Sequence, residues 1–289
     1  MNDSSKQANQ RRRTREIVRF ADSAFEQTND FLATEEPFEI RVVFGPKEKR
    51  KDRSLSITMR TPGHDHELAA GFLLGEGIIK SSVDIDQFES TGSKTEGTED
   101  TNQLCVHLAD RVAFDFGSLQ RNFYTTSSCG ICGKASLEAV RAQLSDGVKE
   151  ASITVTPEVI TSMPKLLRER QETFDETGGL HAAGLVSADG QLIACFEDVG
   201  RHNALDKLIG SQLLGGNETM PDGIVVVSGR ASFELVQKVI SAGIPVLVAV
   251  GAPSSLAAEL AEEFGVTLVG FTSTTRFNIY AHPHRILHR

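Results

Sequence analysis

Between Gly223 and Phe271 the chain alternates between apolar runs and stretches of helical spacing, an order that few folds accommodate. Gly223-Ile224-Val225-Val226-Val227-Ser228 is a continuous β-branched run, the pattern of a strand buried on both faces. A helix is expected over 233–241, a strand over 244–250, a helix through Phe264 and a strand over 267–271. Strand–helix–strand–helix–strand implies a largely parallel sheet with helices on its faces, because parallel neighbours need long crossovers. Right-handed crossovers bring three strand-end turns to one edge of that sheet. They are Ser228-Gly229-Arg230, Gly251-Ala252-Pro253-Ser254-Ser255 and Phe271-Thr272-Ser273-Thr274-Thr275-Arg276. Helix N-termini and hydroxyl side chains suit phosphates, and Arg230 and Arg276 supply charge. None of the turns is a Walker or G-x-G-x-x-G loop, so ordinary connections compete with an anionic, nucleotide-like ligand as their explanation.

Upstream the pattern changes. Residues 1–34 are polar, with arginines at positions 11–13 and 15 and no apolar segment behind them, so a flexible basic arm is expected. Residues 35–126 suit a small α+β domain. Strands at 38–44 and 54–60 form a hairpin, an acidic-capped helix starts at Asp65, and a short strand at 104–108 follows a polar loop over 90–102. After residue 135 a helix runs to about Leu144, and another runs from Pro157 to about Phe174. Two adjacent strands come next, the second over Leu192–Glu197, joined by a turn at Ala188-Asp189-Gly190-Gln191. The return strand ends in Glu197-Asp198-Val199-Gly200-Arg201-His202-Asn203-Ala204-Leu205-Asp206-Lys207, which crowds charged side chains at a strand-to-helix junction. A solvated helix start is the plain alternative, but capping alone does not call for Arg, His and Asn after a glycine.

The longest apolar run, around residues 244–250, is far short of the ~20 residues of a membrane helix. With no signal-like apolar segment at the N-terminus, a cytoplasmic protein is expected, and no membrane partner. A net charge of −9, no Trp and two Tyr argue against a nucleic-acid partner.

In a reducing compartment the four cysteines are reactive or buried thiols rather than structural disulfides. Two of them stand in Ser127-Ser128-Cys129-Gly130-Ile131-Cys132-Gly133-Lys134, ahead of a helical stretch. A helix N-terminus and a lysine favour thiolate over thiol. Such a pair can cycle between dithiol and disulfide, supply half a zinc site, or carry sulfur as a persulfide. Cys105 and Cys195 lie in strand-like runs and read as core, which leaves zinc short of ligands, and no metal site is expected. A thioredoxin-like domain would place C-x-x-C near its start, whereas nearly half of this chain precedes it.

These blocks carry a specific resemblance. Ser128–Gly133, Gly178-Gly179-Leu180-His181-Ala182-Ala183, Glu197–Lys207, Ser228-Gly229-Arg230, Gly251–Ala257 and Phe277-Asn278-Ile279-Tyr280 with Arg285-Ile286 resemble, in order, the signature blocks of the FdhD family. That family comprises formate dehydrogenase accessory sulfurtransferases. The resemblance implies an α/β fold in which a cytidine-deaminase-like three-layer domain over 135–289 follows the smaller α+β domain, and the Gly and Ser flanks of the C-x-x-C suggest a mobile loop at 127–134. It implies sulfur transfer from a cysteine desulfurase to the molybdenum cofactor of formate dehydrogenase. The cofactor is the bis(molybdopterin guanine dinucleotide) form, bound as acceptor, with no cofactor held permanently. By the same resemblance Cys129 carries the persulfide and Phe271–Arg276 matches the cofactor-binding segment. This chain has Thr272-Ser273-Thr274-Thr275 where relatives often show glycine and an extra arginine.

A thiolate at Cys129 would take the sulfur, and Cys132 would release it by attacking the inner sulfur. From their positions, His181, Arg201 and His202 are expected to line the cofactor pocket. A cofactor-binding chaperone without catalysis and a dithiol redox protein are the alternatives. Zinc deamination is unsupported, because His181-Ala182-Ala183 lacks the glutamate of H-x-E and the C-x-x-C precedes it. The oligomeric state, a homodimer included, stays open.

Overall fold

The structure, a computed structural model, describes residues 10–94, 101–114, 138, 141, 144, 148, 152–217, 219–220 and 222–287. The C-x-x-C, with Cys129, Cys132 and Lys134, lies outside the described residues, as does the loop expected at 127–134.

The basic arm is corrected first. Strands β1 (Arg12–Ala21) and β2 (Ala24–Ala33) pair antiparallel, with Phe20 opposite Phe25. The turn residues Asp22 and Ser23 both have positive φ, 51° and 64°, the primed geometry whose twist matches the flanking strands. Val18, Phe20, Phe25 and Phe31 share one face of this hairpin and are exposed.

A second sheet has the order β4-β3-β6-β5, from β3 (Glu36–Phe44), β4 (Lys51–Arg60), β5 (Ile85–Lys94) and β6 (Thr101–Leu108). Strands β5 and β6 thus reach into the expected polar loop. The inner face, Phe38, Ile40, Val42, Leu104, Val106 and Leu108, is buried in the same core as helix α1 (Asp65–Gly75).

The third sheet runs β12-β11-β10-β9-β7-β8. Strands β9 (Ile224–Val227), β10 (Val246–Ala249) and β11 (Thr267–Gly270) are parallel, as the alternation requires. Strand β7 (His181–Val186) is antiparallel to both β9 and β8 (Leu192–Asp198), and β12 (Asn278–Ala281) is antiparallel to β11. Helix α2 (Pro157–Arg168) covers one face, where Ile160, Met163 and Leu167 join Ile224, Val226, Val246 and Val248 in one core. The opposite side chains, Val225, Val227, Leu247, Ala249 and Leu268, share the larger core with helices α4 (Arg201–Leu214), α5 (Phe233–Ser241) and α6 (Ser255–Phe264). The helix expected over 157–174 is broken. Arg170 and Gln171 bond back to Leu167 and Arg168, and a separate α3 (Glu172–Thr177) follows. The carboxylate of Glu197 accepts from the N–H groups of Thr173 and Phe174 at 3.0 and 2.9 Å, which fixes the start of α3 against β8.

Helices α1 and α4 join the two halves at backbone distance. A Cβ at Gly71 would lie 2.0 Å from the carbonyl oxygen of Asp206, and one at Gly210 would lie 1.8 Å from that of Glu67. Beside this crossing, Lys238 reaches both carboxylate oxygens of buried Asp206, at 2.7 and 2.9 Å.

Candidate functional site

Because β7 is reversed, β8, β9, β10 and β11 all end on the edge where β7 begins. His181 at the start of β7 stands opposite Asp198 at the end of β8. The three strand-end turns meet there and are laced together by backbone bonds. Gly251 N–H donates to Gly229 O, Phe271 N–H to Gly251 O, and Ser254 N–H to Ala231 O, each at 3.0 Å. Ser228 Oγ accepts from Ala182 N–H at 2.9 Å, tying the β9 turn to β7. Glycine lets the turns approach closely at Gly251, where a Cβ would lie 3.1 Å from both Arg230 N and Gly229 O. Ser254 caps α6, accepting from Ala257 N–H at 3.3 Å.

The edge is cationic. A Cβ at Gly229 would lie 3.4 Å from His181 Nδ1 and 4.0 Å from Arg201 Cδ, so these two side chains flank the turn. Burial holds the His181 imidazole below its ordinary value, and the Arg201 and His202 charges push the same way against Asp198. Among the described residues Arg201 Nε is buried without a hydrogen-bond partner, and so is Thr272 Oγ1. An unpartnered buried donor costs about 1–3 kcal/mol, which a ligand oxygen would recover. His202 is already engaged, its Nε2 lying 2.8 Å from Glu234 Oε2 and 3.2 Å from Ser232 Oγ. That hydrogen bond, against burial, holds the Glu234 carboxyl below the usual carboxylate range.

Arg230 and Arg276 are exposed at the rim. Phe271 has φ 51° and its side chain is 46% exposed, a left-handed conformation that sets an aromatic ring in solvent beside the edge. Ser273 Oγ accepts from the N–H groups of Thr275 and Arg276, which closes the 273–276 turn and leaves Thr274 and Thr275 outward.

Half of the Glu197–Lys207 block faces elsewhere. Asp198, Asn203 and Lys207 are buried and grip the end of β4. Lys207 Nζ lies 2.7 Å from Asp198 Oδ2 and donates to Thr61 O at 2.8 Å. Asp198 also accepts from Thr61 N–H, Gly200 N–H and Asn203 Nδ2, while Asn203 Nδ2 reaches Met59 O. These residues hold the N-terminal sheet in place, and Arg201 and His202 between them face the edge.

Neither described thiol is suited to nucleophilic work. Cys105 is buried beside Thr91 Oγ1, and burial with the Glu197 charge pushes half-buried Cys195 up to about 12. Among the described residues no group of three or more His, Cys, Asp or Glu could hold a metal ion. No described helix is long and apolar enough to cross a membrane.

The fold and the edge define a mixed α/β protein whose strand ends carry cationic side chains and, among the described residues, unsatisfied buried donors, suited to an anionic ligand. The FdhD/NarQ family model matches residues 34–287. The chain is 46% identical over 274 residues to the sulfur carrier protein FdhD of Streptomyces avermitilis, covering 94% of each chain. It is 50% identical over 256 residues to that of Mycolicibacterium paratuberculosis, covering 88% of this chain and 91% of the relative. A crystal structure from Desulfotalea psychrophila, described as a formate dehydrogenase accessory protein, superposes with TM-score 0.73 at 26% identity over 96% of this chain and all of that one. The chain belongs to the FdhD/NarQ family, as its signature blocks imply.

Proposed function

We propose that this protein is a sulfurtransferase that carries persulfide sulfur from a cysteine desulfurase to the bis(molybdopterin guanine dinucleotide) cofactor of formate dehydrogenase. The observation that carries this reading is the strand-end edge, where Arg201 Nε and Thr272 Oγ1 are buried and, among the described residues, unpartnered, in a chain whose relatives are named sulfur carrier proteins. Phosphate oxygens of the guanine dinucleotide would take these donors, with Arg230 and Arg276 as outer charges and Phe271 as a stacking face for the base.

Sulfur moves in two displacements. The Cys129 thiolate attacks the terminal sulfur of the desulfurase persulfide, forming Cys129–S–SH and releasing the desulfurase thiolate. The Cys132 thiolate then attacks the inner sulfur, forming the Cys129–Cys132 disulfide and releasing hydrosulfide to the cofactor. A dithiol reductant returns the disulfide to two thiols for the next cycle. A chaperone that only holds the cofactor is the second reading, favoured by the edge alone.

Persulfide trapping separates the two. After incubation with a desulfurase and L-cysteine, the peptide containing Cys129 is expected to gain mass in sulfur-sized steps. Cys129→Ala is expected to lose both the gain and formate dehydrogenase activation, while Cys105→Ala keeps both. A Cys129→Ala protein that still activates the dehydrogenase would leave the chaperone.

Calorimetry with guanosine diphosphate tests the edge. Arg201→Ala is expected to cost about 1.5–3 kcal/mol, roughly ten- to a hundredfold in affinity. Smaller losses are expected at exposed Arg230 and Arg276, where solvent screens the contact. The depressed His181 value adds a pH signature. Its neutral form contributes stability that is present above the ordinary imidazole value and lost as pH falls through the folded one. A bound phosphate opposes that depression, so lowering the pH through this range strengthens binding relative to His181→Gln. Parallel pH profiles for the two proteins would remove His181 from the site.

A further inference from the structure

A cleft of about 320 Å³ lies along β8, lined by the consecutive residues Leu192 to Glu197 and rimmed by Arg11, His64, Arg170 and Glu172. Successive side chains of a strand point to opposite faces. A cleft that touches six in a row therefore faces the strand's hydrogen-bonding edge. Strand β8 is the last of its sheet, with β7 as its strand neighbour among the described residues. Its outer row of N–H and C=O groups is thus available for pairing. A register shift leaves Ile193 as an extra residue, and from Ala194 to Asp198 the strand is regular, about the length of an ordinary strand.

The rim selects a charge. The guanidinium groups of Arg11 and Arg170 make no ion pair or hydrogen bond among the described residues. Of the two rim carboxylates, buried Glu197 is committed to the N–H groups of Thr173 and Phe174, which leaves Glu172 as the exposed acid. Arg11 acts on the buried Glu197 carboxylate through its charge alone, so two guanidiniums without a direct partner among the described residues stand against one exposed carboxylate, which favours an acidic occupant. A second copy of this chain fits poorly, because antiparallel β8–β8 pairing would bring Arg11 and Arg170 of one copy against those of the other.

We propose that β8 and its cleft are a docking site for an extended acidic segment of a partner protein. The segment adds to the sheet beyond β8 by main-chain hydrogen bonds and sets carboxylates against Arg11 and Arg170. This surface is separate from the sulfur-transfer reading and stands or falls without it.

The test uses the full chain and synthetic peptides of about six residues, alternating β-branched residues with glutamate. Matched peptides carry lysine instead, or N-methyl groups on alternate amides. Fluorescence anisotropy reads binding, and amide hydrogen exchange reads its place. The acidic peptide is expected to bind and to slow exchange over residues 194–198. Arg11→Ala and Arg170→Ala are each expected to weaken it about tenfold or more, with unchanged thermal melts. The lysine and N-methylated peptides are expected not to bind. The proposal is overturned if the acidic peptide does not bind, if it binds without protecting 194–198, or if the lysine peptide binds equally. Protection of β8 that grows with protein concentration in the absence of peptide would overturn it in favour of a second copy.

Discussion

The Gly210→Ala variant is expected to lose about 3 kcal/mol of stability and to accumulate little folded protein. Two effects of opposite sign meet at this position. Alanine favours a helix interior over glycine by about 1 kcal/mol. The added methyl, however, would lie 1.8 Å from the Glu67 carbonyl oxygen and 2.7 Å from its carbon, on the backbone of a packed helix that has no rotamer to change. Relief requires α1 to lift from α4 by more than an ångström, opening the contact that joins the N-terminal sheet to the rest. Overpacking therefore outweighs propensity. Gly71→Ala, 2.0 Å from the Asp206 carbonyl oxygen, is expected to behave alike. Thermal or denaturant melts decide the matter, and a Gly210→Ala protein as stable as its parent would show that the helices do not cross this closely.

Lys207→Met is expected to cost about 3–5 kcal/mol, because it leaves Asp198 buried and charged without its counterion. Burial pushes the Lys207 ammonium below its ordinary value and Asp198 pulls it back, so the pair exists only as a unit. Three N–H donors still reach the carboxylate, from Thr61, Gly200 and Asn203, which is why the loss stops short of complete unfolding. Asp198→Asn with Lys207→Met removes the orphaned charge and is expected to recover about 0.5–3 kcal/mol relative to the sum of the single variants. Strict additivity in denaturant melts would mean that the two residues do not interact.

The strands from Ile224 to Gly270 were legible because each is buried on both faces and so carries no polar interruption. Their right-handed crossovers then placed the turns at Ser228, Gly251 and Phe271 on one edge without coordinates. The reversal of β7 left no such trace, since an apolar run has no direction, and it is this reversal that brings His181 to the edge where the strand-end turns meet. Strand β12 alternates over only four residues, too short a run to signal a strand, and β5 carries the polar run Glu89-Ser90-Thr91, which breaks the alternation of a half-buried strand. The hairpin β1–β2 was hidden for a related reason: its residues are almost all exposed, so its apolar residues are scattered among charges rather than selected by burial. Arg201 flanks the strand-end turns, but the crowding that singled it out marked Asp198, Asn203 and Lys207 equally, and these clamp β4. Charge density in a sequence does not tell a residue at a strand edge from one that clamps two sheets together. The cleft along β8 had no signal at all, because being outermost in a sheet is a property of topology alone.

The crossing of α1 and α4 also sets a timetable for the nascent chain. The residues that close the seam, such as Thr61 and Lys207, are 146 positions apart. Helix α1 is apolar on the side facing the four-stranded sheet and on the side facing α4, with Leu68, Ala69, Ala70, Leu73 and Leu74 all buried in the finished molecule. At ordinary translation speeds it waits on the order of ten seconds for α4 to leave the ribosome. During that interval the N-terminal sheet has one layer of its core and an uncovered second surface. Conditions that slow synthesis between these points should therefore raise the share of chains lost to aggregation, and early engagement of a chaperone with the first hundred or so residues should lower it.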